Sequence, residues 1–318
     1  MKKMYRIVSS LAVSVLAFTA DADVLLFKGT NMASYTVAGS WTNLTTSGAG
    51  RVPIYGDSAN IINTSTAQVA LASAMNVGAA VNVSNNAAIY RTGVSGAYFS
   101  GTLSFRDNSS LTASQLALYS NAVLNWSSAG VWNGNGANSQ ANFYVAAANN
   151  STGPTINMSA GTWNLTGNTA ADSFQLDRGI FNMSGGKILC EDNFKIGSGS
   201  SAAVFNLSGS GEIWLKGGFS MFGGEASKWD FSGTNWTVYA TNGIAGIKTL
   251  FQTRINTTNI YANGSAVTVL TNAMSFSTVS IDGTDYTKVV ANVIPEPATI
   301  SLFVLSSAGL IILRRAKW

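Results

Sequence analysis

The acidic side chains are the natural place to look for chemistry in this chain, and they are few. Charged residues make up only 10% of the sequence and histidine is absent, which removes histidine triads, histidine metal sites and the commonest general base. Asp172 and Asp192 each stand two residues before a phenylalanine of a repeated motif. With Glu191 they would supply oxygen ligands for Ca²⁺ or a carboxylate pair that acts on sugars. We favour a third interpretation, turn residues that face water, and predict no catalytic residue, no metal site and no cofactor.

The distribution of charge argues against a nucleic-acid partner. The net charge is +4, but six of the 18 basic residues and one of the 14 acidic residues lie outside residues 23–297. The region from Asp23 to Pro297 therefore carries 12 basic and 13 acidic side chains. No basic patch remains there to attract nucleic acid. Cys190 is the single cysteine, so an internal disulfide is excluded and we expect a small buried side chain.

The N-terminal segment 1–22 has the three parts of a secretory signal peptide. The stretch "MKKMYRIVSSLAVSVLAFTADADVLL" begins with basic residues, continues with an apolar run from Ile7 to Phe18, and ends in small residues. Ala20 and Ala22 occupy the two positions that signal peptidase reads, which predicts cleavage after Ala22. The run is too short to span a bilayer comfortably. We therefore expect export, with residues 1–22 removed by signal peptidase.

The C-terminal segment 293–318 combines a proline motif, an apolar run and a basic tip. Residues 298–313 carry no charge, and as a helix they would span about 24 Å, which is short of the roughly 30 Å hydrocarbon core of a bilayer. They predict a marginal transmembrane helix. Arg314, Arg315 and Lys317 follow it and would remain in the cytoplasm, so the body would lie outside.

The stretch "PEPATISLFVLSSAGLIILRR" resembles the PEP-CTERM sorting signal of Gram-negative bacteria. Pro295, Glu296 and Pro297 match its Pro-Glu-Pro motif, although Ile294 stands where family members usually have valine. The resemblance covers residues 293–318. It implies recognition by an exosortase, cleavage near the motif and transfer of the body to the cell surface or extracellular matrix, with exopolysaccharide as a partner. The transmembrane helix would then be a transient anchor; a permanent tail anchor is the alternative.

Between the two signals, residues 23–292 contain an internal repeat. The stretches "TINMSAGTWNL", "IFNMSGGKIL", "VFNLSGSGEIWL" and "KWDFSGTNWTVY" share an apolar, Asn or Asp, apolar, Ser pattern. Their polar positions are Asn157, Asn182, Asn206 and Asp230. This nearly constant spacing predicts one right-handed parallel β-helix, or β-solenoid, in an all-β body. Alternation directs one set of apolar residues inward, and that set comprises Ile156, Met158, Phe181, Met183, Phe205, Leu207, Trp229 and Phe231.

The residues between the apolar positions predict the outside of the coils. Asn125, Asn157, Asn182 and Asn206 would stack as an outer or turn ladder, and Asn82 fits the pattern more weakly. A second motif is led by Phe143, Phe174, Phe194 and Phe219. No long amphipathic helix is predicted in the body, and the period fades over residues 244–292, which we interpret as a capping region. Most tryptophans fall in the inward register, among them Trp126, Trp132, Trp163, Trp214, Trp229 and Trp236.

The start of the body resembles the first coils of autotransporter-like β-solenoid proteins. The resemblance rests on Trp41, Pro53, Gly56 and Asp57, followed by the strand "ANII". Low charge, repetition, export and sorting together favour a non-enzymatic structural or adhesive protein of the cell surface or matrix. The alternative is a polysaccharide lyase or hydrolase on the same scaffold. A groove with three convergent acidic or basic groups would favour the enzyme.

Overall fold

Short β-strands dominate the described part of a computed structural model of the chain. The described residues are 24–27, 33–35, 38–47, 51–54, 57–62, 68–70, 80–91, 97–134, 141–145, 152–166, 173–197, 202–217, 219–221, 227–233, 235–241, 243–257 and 259–292. Burial alternates along most strands, as expected where one face packs against a core. The strands form three sheets of 12, 11 and 6 strands.

Sheet I contains the strands that carry the asparagine motif. Its members are β1 (Val24–Phe27), β3 (Trp41–Asn43), β4 (Ser58–Ile62), β6 (Ala80–Ser84), β9 (Thr102–Phe105), β12 (Val123–Trp126), β15 (Thr155–Met158), β18 (Gly179–Met183), β21 (Ala203–Leu207), β24 (Lys228–Phe231), β26 (Ile260–Ala262) and β27 (Ser265–Ala266).

Sheets II and III contain the strands that follow in each repeat. Sheet II comprises β2 (Ala33–Ser34), β5 (Gln68–Ala70), β7 (Ala88–Tyr90), β10 (Ser110–Thr112), β13 (Val131–Gly134), β16 (Thr162–Leu165), β19 (Lys187–Cys190), β22 (Glu212–Leu215), β25 (Thr237–Ala240), β28 (Met274–Ile281) and β29 (Thr284–Ala291). Sheet III comprises β8 (Ala97–Phe99), β11 (Leu116–Leu118), β14 (Phe143–Val145), β17 (Phe174–Leu176), β20 (Phe194–Ile196) and β23 (Phe219–Met221).

The order of pairing follows the repeat. From β6 to β23 the chain visits sheets I, II and III in turn, and each strand pairs in parallel with the strand of the same sheet one coil later. Asn157 is the register partner of Asn182, and Asn182 of Asn206. The structure thereby confirms a mostly β architecture with parallel sheets, which is consistent with the predicted β-solenoid. Coil length is not constant, because Asn125 and Asn157 are register partners 32 residues apart.

The inward residues stack on their equivalents in neighbouring coils. Phe181 and Phe205 stack at 4.9 Å between ring centroids, and Phe174 and Phe194 at 4.3 Å. The inner set predicted from alternation is fully or almost fully buried. Trp126, Trp132, Trp163, Trp229 and Trp236 are also buried, as predicted, whereas Trp214 faces outward at intermediate exposure. Stacked aromatic rings of this kind contribute both buried area and favourable geometry.

The parallel pattern gives way to other structure at both ends. Strand β3 runs antiparallel to β1, after a 3₁₀ turn at Ala38–Ser40. After β25 come the helices α1 (Ile244–Asn256) and α2 (Leu270–Ala273), and the hairpin β28–β29 then adds to sheet II antiparallel to β25. The sequence-based expectation of no long amphipathic helix in the body is wrong, since the 13-residue α1 buries Ile247, Phe251 and Ile255. These residues recur every four positions and so share one face.

Both predicted targeting segments lie outside the described residues. This holds for the signal peptide at 1–22, with Ala20 and Ala22, and for the sorting signal at 293–318. Neither α1 nor α2, the two α-helices of the described residues, has the length and apolar character needed to cross a membrane.

Candidate functional site

The residues singled out for chemistry are only partly described. Asp192 is half-buried just after β19, and its backbone N–H donates to the Ser173 Oγ at 2.9 Å. Phe174 and Phe194 are register partners, which confirms that their motifs occupy neighbouring coils, but Asp172 lies outside the described residues. Within the described ranges, His, Cys, Asp and Glu side chains form no group of three or more suited to a metal ion. The predicted sorting residues Pro295, Glu296, Pro297, Arg314, Arg315 and Lys317 also lie outside the described residues.

The outer face of sheet I carries the predicted asparagine ladder. The Nδ2 of Asn157 donates to the Oδ1 of Asn125 at 2.9 Å, Asn182 donates to Asn157 at 2.9 Å, and Asn206 to Asn182 at 2.7 Å. Every bond points from one coil to the preceding coil. A pleated parallel register places identical side chains one strand spacing apart, so each internal amide both donates and accepts. Each amide of this row is thus bonded to the amide of at least one neighbouring coil.

The corresponding outer row of sheet II changes chemistry from coil to coil. Its register partners are Asn133, Asn164, Leu189, Trp214 and Tyr239. The Nδ2 of Asn164 donates to the Oδ1 of Asn133 at 3.0 Å. The next coil presents Leu189, which has no amide to continue the ladder. We call this row the mixed row.

The amide ladder of the mixed row ends at Leu189, and we call this point the break. A groove of about 380 Å³ opens beside it. Its polar groups are the two amides, the Thr166 hydroxyl and the Glu191 carboxylate. The Thr166 hydroxyl donates to the Gly134 carbonyl oxygen. The Lys216 ammonium lies 2.7 Å from a Glu191 oxygen, and both side chains are partly exposed. The complete lining is Asn133, Gly134, Asn164, Leu165, Thr166, Leu189 and Glu191.

An aromatic cluster occupies the other side of the break. Trp214 stacks on Tyr239 with ring centroids 4.2 Å apart, and the Lys187 Nζ lies 4.1 Å from the Trp214 ring centroid. Tyr286, from strand β29, meets the Trp214 ring edge to face at 5.2 Å. The Trp214 Nε1–H donates to Glu212 at 3.2 Å. The aromatic contact of Tyr286 joins β29 to β22, and the cation–π contact of Lys187 joins β19 to β22.

Trp214 is the functional-site residue that the sequence-based interpretation misplaced. In β22, Ile213 and Leu215 are buried, so strict alternation puts the residue between them outside. The pattern was available in the sequence. The general tendency of large tryptophan side chains to be buried outweighed it in the prediction.

Sheet III presents a second group of outward aromatic side chains. Tyr98 and Tyr119 stack with ring centroids 5.8 Å apart. Burial raises the pKa of Tyr144, and the charge of Asp177 and the nearby Tyr98 raise it further. Asp177 is almost fully buried and accepts a hydrogen bond from Gln175 at 2.7 Å. The phenol of Tyr144 therefore stays protonated at neutral pH.

Near the N-terminus of the described residues, Trp41 and Asp57 make structural contacts. Arg51 grips the buried carboxylate of Asp57 with two nitrogens, at 2.6 and 2.7 Å. Asp57 also accepts from the Ile54 backbone N–H at 2.7 Å. The Trp41 Nε1–H donates to the Tyr35 carbonyl oxygen at 2.8 Å. A buried carboxylate requires such bidentate and backbone partners, so Asp57 holds the turn that precedes β4.

Comparison with protein-family models, curated proteins and solved structures found no match to this chain. The described residues present one outer face that is closed by its own amides and one that is open at a groove. A groove with amide, hydroxyl and carboxylate groups around an apolar floor is suited to binding a hydroxyl-rich ligand.

Proposed function

We propose that this chain is an exported, non-enzymatic structural or adhesive protein of a bacterial cell surface or extracellular matrix. The proposal includes removal of residues 1–22 by signal peptidase, right-handed winding of the solenoid, and sorting through residues 293–318 by an exosortase. Right-handed crossovers are the strong rule for parallel strands. The expected partner on the surface is exopolysaccharide.

The observation that supports this proposal best is the order of three elements behind a repetitive body. Pro295, Glu296 and Pro297 precede the uncharged run 298–313, and a basic tip ends the chain. Residues before a proline avoid the helical region, so the motif favours an extended segment that a protease can grip. The run is short and is interrupted by threonine and serine hydroxyls, which suits a transient anchor better than a permanent one.

The regular solenoid fits a structural role. Successive coils bury a continuous apolar core, and stacked repeats gain stability from every neighbour they add. The asparagine ladder of sheet I gives the exterior a second set of coil-to-coil contacts. A rod of this kind is suited to spacing, scaffolding or adhesion rather than to conformational change.

Replacement of Pro295, Glu296 and Pro297 by alanine tests the proposal in a host that has an exosortase. We expect the variant to remain a full-length, membrane-bound precursor, whereas the wild type gives a shorter surface product that lacks Arg314, Arg315 and Lys317. Replacement of Ser306 and Ser307 by alanine is the matched control and should still be processed. Intact-mass spectrometry of surface and membrane fractions reads the result. A wild-type chain that keeps Trp318 contradicts sorting and identifies an ordinary tail anchor.

The alternative of a carbohydrate-active enzyme draws on one observation in sheet III. Asp177 is almost fully buried beside Tyr144, and carboxylates are the usual catalytic groups in glycoside hydrolysis. Release of reducing ends or unsaturated products from soluble polysaccharides would favour this alternative. Its loss in Asp177→Asn, with the fold intact by circular dichroism, would assign the activity to that carboxylate.

A further inference from the structure

The groove at the break of the mixed row lies where two kinds of ladder meet. On the N-terminal side, Asn164 donates to Asn133. On the C-terminal side, Trp214 stacks on Tyr239. Leu189 lies between them and matches neither neighbour. In sheet I the Oδ1 of Asn157 and of Asn182 receives an amide N–H from the next coil, but a leucine side chain has no N–H to offer. The Asn164 Oδ1 thus faces the groove without a next-coil amide.

The groups around the groove offer complementary hydrogen-bonding roles. Asn133 and Asn164 supply amide oxygens and N–H groups, and Glu191 supplies carboxylate oxygens. Lys216 neutralises Glu191 at 2.7 Å, so the lining carries no uncompensated charge among its described members. Leu189, which is half-buried, supplies apolar surface. A pyranose ring has the matching chemistry, with an apolar C–H face and a rim of hydroxyls that both donate and accept.

We propose that this groove is a binding subsite for one sugar unit of a neutral polysaccharide. The hydroxyls of the ring would bond to the Asn164 Oδ1 and to Glu191, and its C–H face would rest on Leu189. The groove is open on the flank of the solenoid, so a polymer can pass through it with its ends free. Its volume of about 380 Å³ is at the lower end of the usual range for small-molecule sites, which suits one or two sugar rings.

The ion pair of Glu191 and Lys216 favours a neutral over an acidic glycan. Because Lys216 compensates Glu191, the lining offers an acidic sugar no net attraction that would offset the cost of desolvating its charge. The subsite deepens the proposed function and rests on it for the source of the ligand. The processing of residues 293–318 tests that function separately, so either proposal can fail alone.

Affinity electrophoresis of the full-length chain in mild detergent tests the subsite. Native gels would contain soluble laminarin, galactomannan or xylan as neutral probes and alginate as the acidic probe. We expect retardation by at least one neutral probe. Glu191→Gln and Asn164→Ala should each weaken the apparent affinity by about fivefold or more, the effect of losing one good hydrogen bond. Asn157→Ala makes the same chemical change in the ladder of sheet I and should bind as the wild type does.

Three outcomes would overturn the subsite. They are a wild type that no neutral probe retards, retardation by alginate alone, and variants of Glu191 and Asn164 that bind as tightly as the wild type. An equal loss of affinity in Asn157→Ala would also overturn it. Asn157 lies on sheet I, away from the groove, so such a loss would reflect a general change in the protein and not a contact in the groove. Thermal unfolding followed by circular dichroism identifies any variant that misfolds. If Asn164→Ala misfolds, the affinity of the isosteric Glu191→Gln variant decides whether the subsite exists.

Discussion

The strands of sheets I and II both pair in parallel from coil to coil, but the side chains on their outer faces form different hydrogen bonds. From Asn125 to Asn206, sheet I repeats one amide, and each donates to its neighbour in the preceding coil. Sheet II has one such bond, from Asn164 to Asn133, before Leu189 ends the series. The parallel pairing is continuous behind both. The side chain at each coil, and not the backbone, decides whether a face is closed by its own hydrogen bonds or open to a ligand.

The difference matters because an internally bonded amide has less to offer a ligand. A ligand that approached Asn182 would have to displace bonds at 2.9 and 2.7 Å, and the exchange would gain little net free energy. At the groove, the Asn164 Oδ1 can accept a hydrogen bond from a ligand without breaking the bond that the Asn164 Nδ2 donates to Asn133.

The largest effect is expected from the core that both faces share. Met183 is fully buried behind sheet I, so Met183→Asp would bury an unpaired carboxylate. We expect the free energy of unfolding to fall by about 4 kcal/mol or more, measured by urea denaturation. Ile180→Asp is the matched control: the same strand presents this residue outward at 41% exposure, and we expect a change of about 0.5 kcal/mol or less. Similar losses in both variants would contradict the assignment of inner and outer positions.

A middle position of the sheet I ladder should matter more than the end of the short sheet II ladder. Asn182→Ala removes two amide bonds and Asn164→Ala removes one. We expect losses of about 1–2 kcal/mol and about 0.5–1 kcal/mol respectively. Chemical denaturation of the two variants side by side measures the difference. If Asn164→Ala is the more destabilising, the two faces do not differ in the way described.

Leu189→Asn should convert the open face into a closed one. The new amide would donate to the Asn164 Oδ1 and continue the ladder, which offsets the lost apolar contact, so we expect a change in stability within about 1 kcal/mol. Leu189→Ala lacks that compensation and should be the less stable of the two. Denaturation curves give the stabilities, and a crystal structure of Leu189→Asn would establish the new bond. If the new asparagine side chain instead pointed to solvent, the expectation that an amide at this position bonds to Asn164 would be wrong.

The smallest effect is a loss of stability at high pH from the rim of the groove. The hydrogen bond from Lys216 to Glu191 raises the pKa of the lysine. Since the folded pKa lies above the usual 10.5, the stabilisation is present below that pH and is lost as the pH rises through the folded pKa. The pair is partly exposed, so we expect less than about 1 kcal/mol. Unfolding measured across this alkaline range should show the loss in the wild type and not in Lys216→Gln; identical pH profiles would contradict it.

The sheets could be predicted from the repeat, because the spacing between equivalent residues identifies which strands pair. The nearly constant spacing of Asn157, Asn182 and Asn206 was enough to pair them, and alternation then assigned the inner face. The longer step from Asn125 to Asn157 carried no such signal, since an insertion between strands changes coil length without changing register. The groove was not predictable either, because it depends on Leu189 standing between two unlike neighbours on other coils.

Helix α1 escaped prediction for a different physical reason. Only three of its 13 residues are buried, and Thr249 and Thr253 bond to backbone carbonyls four residues earlier. Hydroxyl side chains and a narrow apolar stripe give a weak helical pattern. Packing of Phe251 against Trp229 and Phe231 stabilises the helix where the solenoid ends. Tertiary contacts therefore determine this element more than local sequence does.

The coil-to-coil register creates both outer faces from residues that are distant in sequence. Spin labels at Asn82→Cys and Asn206→Cys, in a Cys190→Ala background, test it most directly by pulsed dipolar spectroscopy. Five strand spacings separate the two positions along sheet I, or about 24 Å. We expect one narrow distribution of distances between the two spin labels, at roughly 20–35 Å once the label tethers are included. A broad distribution, or one centred beyond about 40 Å, would contradict the register.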